Sequence, residues 1–335
     1  VKVVPSQTRD VERAGQPVSV IATPQPSLVN PPTPQPAPVE AKQQPTVPPA
    51  QPPAQNIAQL NLIPEKIIGK EGSAPGEFRS PHGIAIGKDG RVYVADTGNK
   101  RVQVFNGEGD YQSEIKGGLD PFEEPFDIVI ASNGDMLVLD SAEGWIYRFS
   151  PDGTFKGPRI GGSSIVFYKP RGMGIDPADN LYVADTGRSR IVKLSLTGEQ
   201  LAVYGERGAG AGQYIEPSDI SISQNGDICV TDVPNRRIQI FDRDMKFKGE
   251  FSVPPAGAAN GPYITFAPDQ SLLITAPEAH KIQHYSADGK LIGQMGDFGQ
   301  TAGQYRLPTG IIAKGNTVWV SDTGNNRIQR LKFSP

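Results

Sequence analysis

Four times in this chain an aspartate is followed five positions later by an arginine: Asp96/Arg101, Asp185/Arg190, Asp232/Arg237 and Asp322/Arg327. A carboxylate and a guanidinium at that spacing could act as an acid/base pair, and an arginine fork grips carboxylates through parallel hydrogen bonds. Repetition argues for something else. A catalytic pair is needed once, whereas a carboxylate that accepts turn amides and a guanidinium is needed wherever the same turn recurs. The four pairs are therefore read as structural positions of a repeated unit. Other chemistry-bearing residues are few: three histidines, His82, His280 and His284, and one cysteine, Cys229. His280 and His284 sit four apart in one alternating stretch, which puts them on one face of a strand but too far apart along it for a shared metal. A single cysteine excludes an internal disulfide and any Cys-based metal cluster. Cys229, between Ile228 and Val230, reads as a small buried filler rather than a nucleophile. No phosphate-cradling loop, nucleophile elbow or metalloprotease helix occurs, so neither metal nor cofactor is expected.

The elements that position the repeated pairs are themselves repeats. VYVADTGNKRVQVF (Val92 to Phe105) recurs as LYVADTGRSRIVKL (Leu181 to Leu194) and VWVSDTGNNRIQRL (Val318 to Leu331), with weaker copies at Met136 to Phe149, Ile228 to Phe241 and Leu272 to Tyr285. The aspartate position falls at Asp96, Asp140, Asp185, Asp232, Ala276 and Asp322, in steps of 44, 45, 47, 44 and 46 residues. A period in the forties built from alternating, strand-like units predicts the blades of a β-propeller. Each unit opens with a proline and a short apolar strand, turns at residues such as Lys88-Asp89-Gly90, and continues through three more strands. The last copy ends after its third strand. IIGKEGSAPGEFRSP (Ile67 to Pro81) aligns with the segments that elsewhere form the outer strand and the crossing to the next blade. The strand near Pro64 to Gly69 is thus expected to complete blade six and close an all-β, six-bladed ring over residues 62–335.

Residues 1–61 hold 14 of the 32 prolines, with no hydrophobic period. Proline fixes φ and donates no hydrogen bond, so the stretch from Pro24 to Pro53 favours an extended polyproline arm. P-x-x-P occurs at Pro31/Pro34, Pro45/Pro48 and Pro49/Pro52, a pattern that can lie in a partner's aromatic groove. Ahead of it, Pro17 to Ala22 is apolar and β-branched and could add to a neighbour's sheet edge.

The pattern P-x-G-[IV]-A-[IV] followed by [VL]-Y-V-A-D-T-G-N-x-R-[IV]-Q resembles the NHL repeat from about Leu62 to Pro335. Blades one, three and six match best and blade five least; the Gly-His and Trp-Asp signatures of WD40 repeats are missing. The residue after each blade-opening proline lies by the mouth of the central channel, and there the copies differ: His82, Phe126, Arg171, Ser218, Tyr263 and Thr309. The following position gives Gly83, Asp127, Gly172, Asp219, Ile264 and Gly310. Variation on one rim of a repeated scaffold is where a specific site would be built, so His82, Phe126, Asp127, Arg171, Asp219 and Tyr263 are the candidate ligand-binding residues. Some lyases resembling this family hold zinc with histidines from several blades, but only His82 is on this rim.

With 33 basic and 36 acidic residues there is no basic field to gather nucleic acid, and no apolar run approaches the roughly 18 residues of a membrane span. A chain beginning at Val1 fits a processed export product and fits an incompletely recorded N-terminus equally well. The expected function is a non-enzymatic protein-interaction scaffold in a bacterial envelope or extracellular assembly, periplasmic or outer-membrane associated, attached through the arm at Pro24, Pro31, Pro34, Pro45, Pro48 and Pro52. Cytochromes or porins are partners that only the resemblance suggests. The alternatives are a lyase or hydrolase at the channel mouth, using Arg171, Asp127, Asp219 and His82, and a small-ligand sensor.

Overall fold

A computed structural model describes residues 58–162, 165–253 and 261–334. The expected arm, its P-x-x-P motifs and the Pro17 to Ala22 stretch lie outside those residues. The described chain forms six sheets, each wound from the inside outwards. Blade one is typical, with strands Pro81–Ile86, Val92–Asp96, Arg101–Phe105 and Tyr111–Ile115 joined antiparallel. The inner strands of the other blades are Pro125–Ile130, Gly172–Ile175, Pro217–Ile222, Ile264–Phe266 and Pro308–Lys314.

The second strand of each blade is buried along its whole length on both faces, since neighbouring blades pack against it from either side. The core is accordingly a ring of interblade layers. Val92, Val94 and Phe105 of blade one meet Trp319 and Ile328 of blade six, and Ala95, Val102 and Val104 meet Val138 and Phe149 of blade two. A fully buried apolar side chain is worth about 1.5–3 kcal/mol, so these layers hold the blades side by side.

The sixth sheet takes its outer strand from the other end of the chain: Leu62–Ile68 pairs antiparallel with Arg327–Phe333. The pairing starts earlier than the Leu62 boundary, and here four strands per blade is corrected to five. Ala58–Gln59 runs parallel to Leu291–Met295, outside the fourth strand of blade five. The strand attaches beside Gly293, with the Leu60 Cα 3.4 Å from where a Cβ would be, an ordinary contact. The Leu60 amide then donates to the Gln294 carbonyl at 2.9 Å. Leu60 and Leu62 both enter the core between blades five and six, so the segment straps two blades together.

Candidate functional site

The repeated aspartates end the second strands, and each is fully buried. Asp96 Oδ1 accepts the Arg79 amide at 2.7 Å, while Oδ2 accepts Arg101 Nε at 2.8 Å, Asn99 Nδ2 at 2.9 Å and Gln103 Nε2 at 3.1 Å. Arg101 spends its remaining protons on the Ser73, Ala74 and Glu77 carbonyls and on Glu114. The pair thus pins the crossing loop that enters the blade. Arg101, with two carboxylate partners, has its pKa raised against the cost of burial. Asp96, with one arginine and a drier position, is also raised, because desolvation outweighs its hydrogen bonds.

The same network recurs at Asp232/Arg237 with Asn235 and Gln213, and at Asp322/Arg327 with Asn325 and Gln304. In blade three Asp185 keeps Arg190 at 2.7 Å and the Tyr168 amide at 2.7 Å. Blade two has no arginine there. Asp140 holds the Glu123 and Glu124 amides, and Arg159 lies over the Trp145 ring at 4.0 Å. In blade five Lys281 reaches the Gly296 carbonyl and Asp297. These groups are consumed by loop anchoring, and none faces a common cavity.

The rim residues divide into two sets. Asp127 and Asp219 are only 6% exposed and act as stitches between blades. Asp127 Oδ1 accepts the Ile128 amide at 2.8 Å and Oδ2 accepts Met173 N of blade three at 2.7 Å. Asp219 does the same with Ile220 N at 2.8 Å and Ile264 N of blade five at 2.8 Å. At other junctions a threonine from the short turn after the second strand performs this task. Thr97 Oγ1 donates to the Pro125 carbonyl at 2.7 Å, Thr186 to Pro217 at 2.7 Å and Thr323 to Pro81 at 2.6 Å. Blades two and four have Ser141 and Val233 where those threonines stand, and they are the blades with Asp127 and Asp219. Burial raises both carboxyl pKa values, and for Asp219 the Asp127 charge adds to the shift.

The second set forms a stack above the carboxylates. The His82 ring lies 4.5 Å from Phe126, Arg171 Cζ stands 5.5 Å from the Phe126 ring, and Tyr263 is 6.5 Å from it. His82 Nδ1 faces the Ser80 carbonyl at 2.9 Å and Thr97 Oγ1 at 3.1 Å. Both are acceptors there, since the Thr97 hydroxyl proton goes to Pro125, so Nδ1 carries the hydrogen and Nε2 the lone pair. Burial, opposed by the Ser80 carbonyl and aided by the Arg171 charge, pushes the imidazole down to about 4. It is neutral at physiological pH.

The other histidines are not paired as expected. His280 is the left-handed residue closing the turn before Lys281–Tyr285, not part of that strand. Its ring packs on Phe298 at 5.0 Å, while His284 Nε2 meets Ser271 Oγ at 2.6 Å. Cys229 is buried in the layer between blades four and five, and burial pushes its thiol up to about 12. No group of three or more potential metal ligands occurs among the described residues. Sequence reasoning did not mark the crossing loops, yet on the face where the inner strands begin they expose Leu119 (71%), Tyr168 (55%), Val166 and Phe298 (65%).

The NHL repeat matches residues 78–105, 167–194 and 215–241. The chain is 24% identical over 212 residues to the E3 ubiquitin-protein ligase TRIM32 of Mus musculus, covering 57% of this chain and 30% of that protein. It is 27% identical over 208 residues to NHL repeat-containing protein 3 of Mus musculus, covering 56% of this chain and 59% of that one. It therefore spans less than two thirds of either relative. Among solved structures, virginiamycin B lyase from Staphylococcus aureus superposes with a TM-score of 0.56 at 18% identity, over 76% of this chain and 95% of the lyase. At that identity the likeness concerns the propeller fold alone.

Proposed function

We propose that this chain, an NHL-repeat protein folded as a six-bladed β-propeller, works as a non-enzymatic protein-interaction scaffold. The observation that carries the reading is the crossing-loop face. Leu119, Val166, Tyr168 and Phe298 sit on loops that the fold does not need to be apolar, and all of those loops emerge on one side of the disc. Exposed apolar side chains gathered on one face are what an interface core requires. Lys169 and Arg188 flank Tyr168 on that face and make no ion pair closer than 4 Å among the described residues, which favours a partner segment with acidic as well as apolar side chains. The candidate acid/base groups, in contrast, are engaged in holding loops and blades.

The finer reading is an exported protein of a bacterial envelope or extracellular assembly, in which the proline-rich residues 24–53 tether a second partner while the loop face engages the first. Composition supports the arm: proline-rich segments are stiff and bind aromatic grooves at low entropic cost. The test is affinity capture from native membranes and culture medium using three full-length forms: the natural chain, a Leu119→Ser/Tyr168→Ser/Phe298→Ser variant, and one with residues 24–53 replaced by an equal length of Gly/Ser. A defined partner lost from the triple variant, and a second lost from the linker variant, is the expected result. Identical captures from all three forms would overturn the scaffold reading.

A further inference from the structure

The central channel holds a cavity of about 220 Å³, room for roughly seven waters at about 30 Å³ each. Towards the face opposite the crossing loops its wall is a collar of isoleucines, Ile86, Ile130, Ile175, Ile222 and Ile312, which also line the opening on that side. At the other end stand Asp127, Asp219 and Tyr263. Each aspartate oxygen receives one backbone amide, and a carboxylate oxygen has capacity for a second donor. Tyr263 is 5% exposed. Its backbone is bonded to Thr275, but its hydroxyl has no hydrogen-bond partner among the described residues. Tyr263 lines the cavity, so its hydroxyl is available to a polar group bound there.

We propose that this channel binds a primary ammonium group carried on a short unbranched alkyl chain, with the ammonium held by Asp127, Asp219 and the Tyr263 hydroxyl and the methylenes inside the isoleucine collar. Three protons on the ammonium match three acceptors. A hard metal ion would need more oxygen ligands than the two aspartates supply, and an anion would be repelled by them. The Tyr263 phenol feels the charges of Asp127, Asp219 and Glu124, opposed by the Arg171 cation; the Arg171 charge also reaches His82, which is neutral. Both carboxyl pKa values are raised, so the amine has to displace protons, and its affinity should climb with pH until the amine itself loses its charge.

The experiment is calorimetric titration of the full-length chain with n-pentylamine at pH 6 and pH 8, beside n-pentanol and calcium chloride. Binding of the amine at least about tenfold tighter at pH 8 than at pH 6, with proton release, is expected, and n-pentanol should bind at least about tenfold more weakly. Asp127→Asn should weaken the amine by about tenfold or more. Tyr263→Phe, which removes only an unpaired hydroxyl and leaves the ring packing, should weaken it several-fold and remains informative if the aspartate variant does not fold. No amine binding at about 10 mM, equal affinity for n-pentanol, insensitivity to Tyr263→Phe, or tight calcium binding that excludes the amine would each overturn the assignment.

Discussion

A Cβ built on Gly172 would stand 2.6 Å from the Cα of Asp219 and 2.5 Å from the Ser218 carbonyl oxygen. Gly83 meets Asp127 in the same way, 2.6 Å from its Cα. The inner strands approach so closely at these junctions that one partner must lack a side chain. Gly172→Ala should therefore lower stability by about 1–3 kcal/mol, the usual cost of overpacking where backbone cannot yield. Denaturant unfolding monitored by Trp145 and Trp319 fluorescence checks it. A loss below about 0.5 kcal/mol would mean the blades can part there without penalty.

The buried titratable groups give a pH dependence of definite sign. Folding raises the Asp127 and Asp219 pKa values, Asp127 to about 7, so the folded state binds more protons than the unfolded one and these groups lower stability as pH rises from about 4 to 7 and beyond. His82, pushed down to about 4, has the opposite effect between its ordinary value and 4. Above about pH 6.5, the ordinary histidine pKa, only the aspartate contribution remains. Melting temperature should accordingly fall from pH 6.5 to 8, and Asp219→Asn should flatten that slope. A melting temperature that rises over the interval would refute the assignment.

Tyr214 and Tyr305 are fully buried and their hydroxyls lack partners among the described residues. Blade one has Phe78 at the same place, packed over Gly69 as Tyr214 is over Gly205. Removing an unsatisfied buried hydroxyl relieves a desolvation cost of about 1–3 kcal/mol, so Tyr214→Phe should hold or raise stability. Tyr214→Ala, which empties the ring site, should lose about 3–5 kcal/mol. The two melting curves, recorded together, separate the contribution of the ring from that of the oxygen.

Asp232 is fully buried and bonded to Arg237, Asn235 and the Ile215 amide. Arg237→Ala leaves that carboxylate buried without its cation and should lose about 3–5 kcal/mol, whereas Lys281→Ala, on the blade with Ala276 in place of the aspartate, should lose less than about 1 kcal/mol. Equal losses would show that the aspartate partner is not what gives the arginine its weight.

Leu60 is buried between blades five and six although it lies in the segment expected to be arm. Leu60→Asp should open that seam, and hydrogen exchange should show faster amide exchange at Gln294 and along Leu62–Ile68 than in blade three. Unchanged protection at both places would show that the strap carries no stability.

The blades and their count are written plainly in the sequence because each unit repeats one solution to the same packing problem. The aspartate and the turn threonine stay adjacent in blades one, three and six, with the opening proline 15, 15 and 14 residues ahead of the aspartate. The stitching rule is also legible once sought: where the turn has Thr97, Thr186 or Thr323, the rim has Gly83, Gly172 or Gly310, and where the turn has Ser141 or Val233, the rim has an aspartate. Spacing puts Asp127 and Asp219 on the rim but does not reveal which neighbour each side chain reaches, so their bonds to Met173 and Ile264 are visible only in the fold. The parallel strand at Ala58–Gln59 had no such signal. Two residues carry no period, and their partners Gly293 and Gln294 lie far along the chain. His280 was misplaced for a related reason: the short turn Pro277–Ala279 ends one residue later than the alternation suggests.

Joining Leu62–Ile68 to Arg327–Phe333 also sets an order of events during synthesis. Five blades can acquire their inner three strands as they leave the ribosome, yet Leu62–Ile68 must wait, edge unpaired, until Arg327–Phe333 has been made. Long-range closure of this kind slows folding and exposes strand edges meanwhile. The strap that fastens first to blade five gives the waiting strand a berth beside its destination, so that ring closure becomes a local docking step when the final blade arrives.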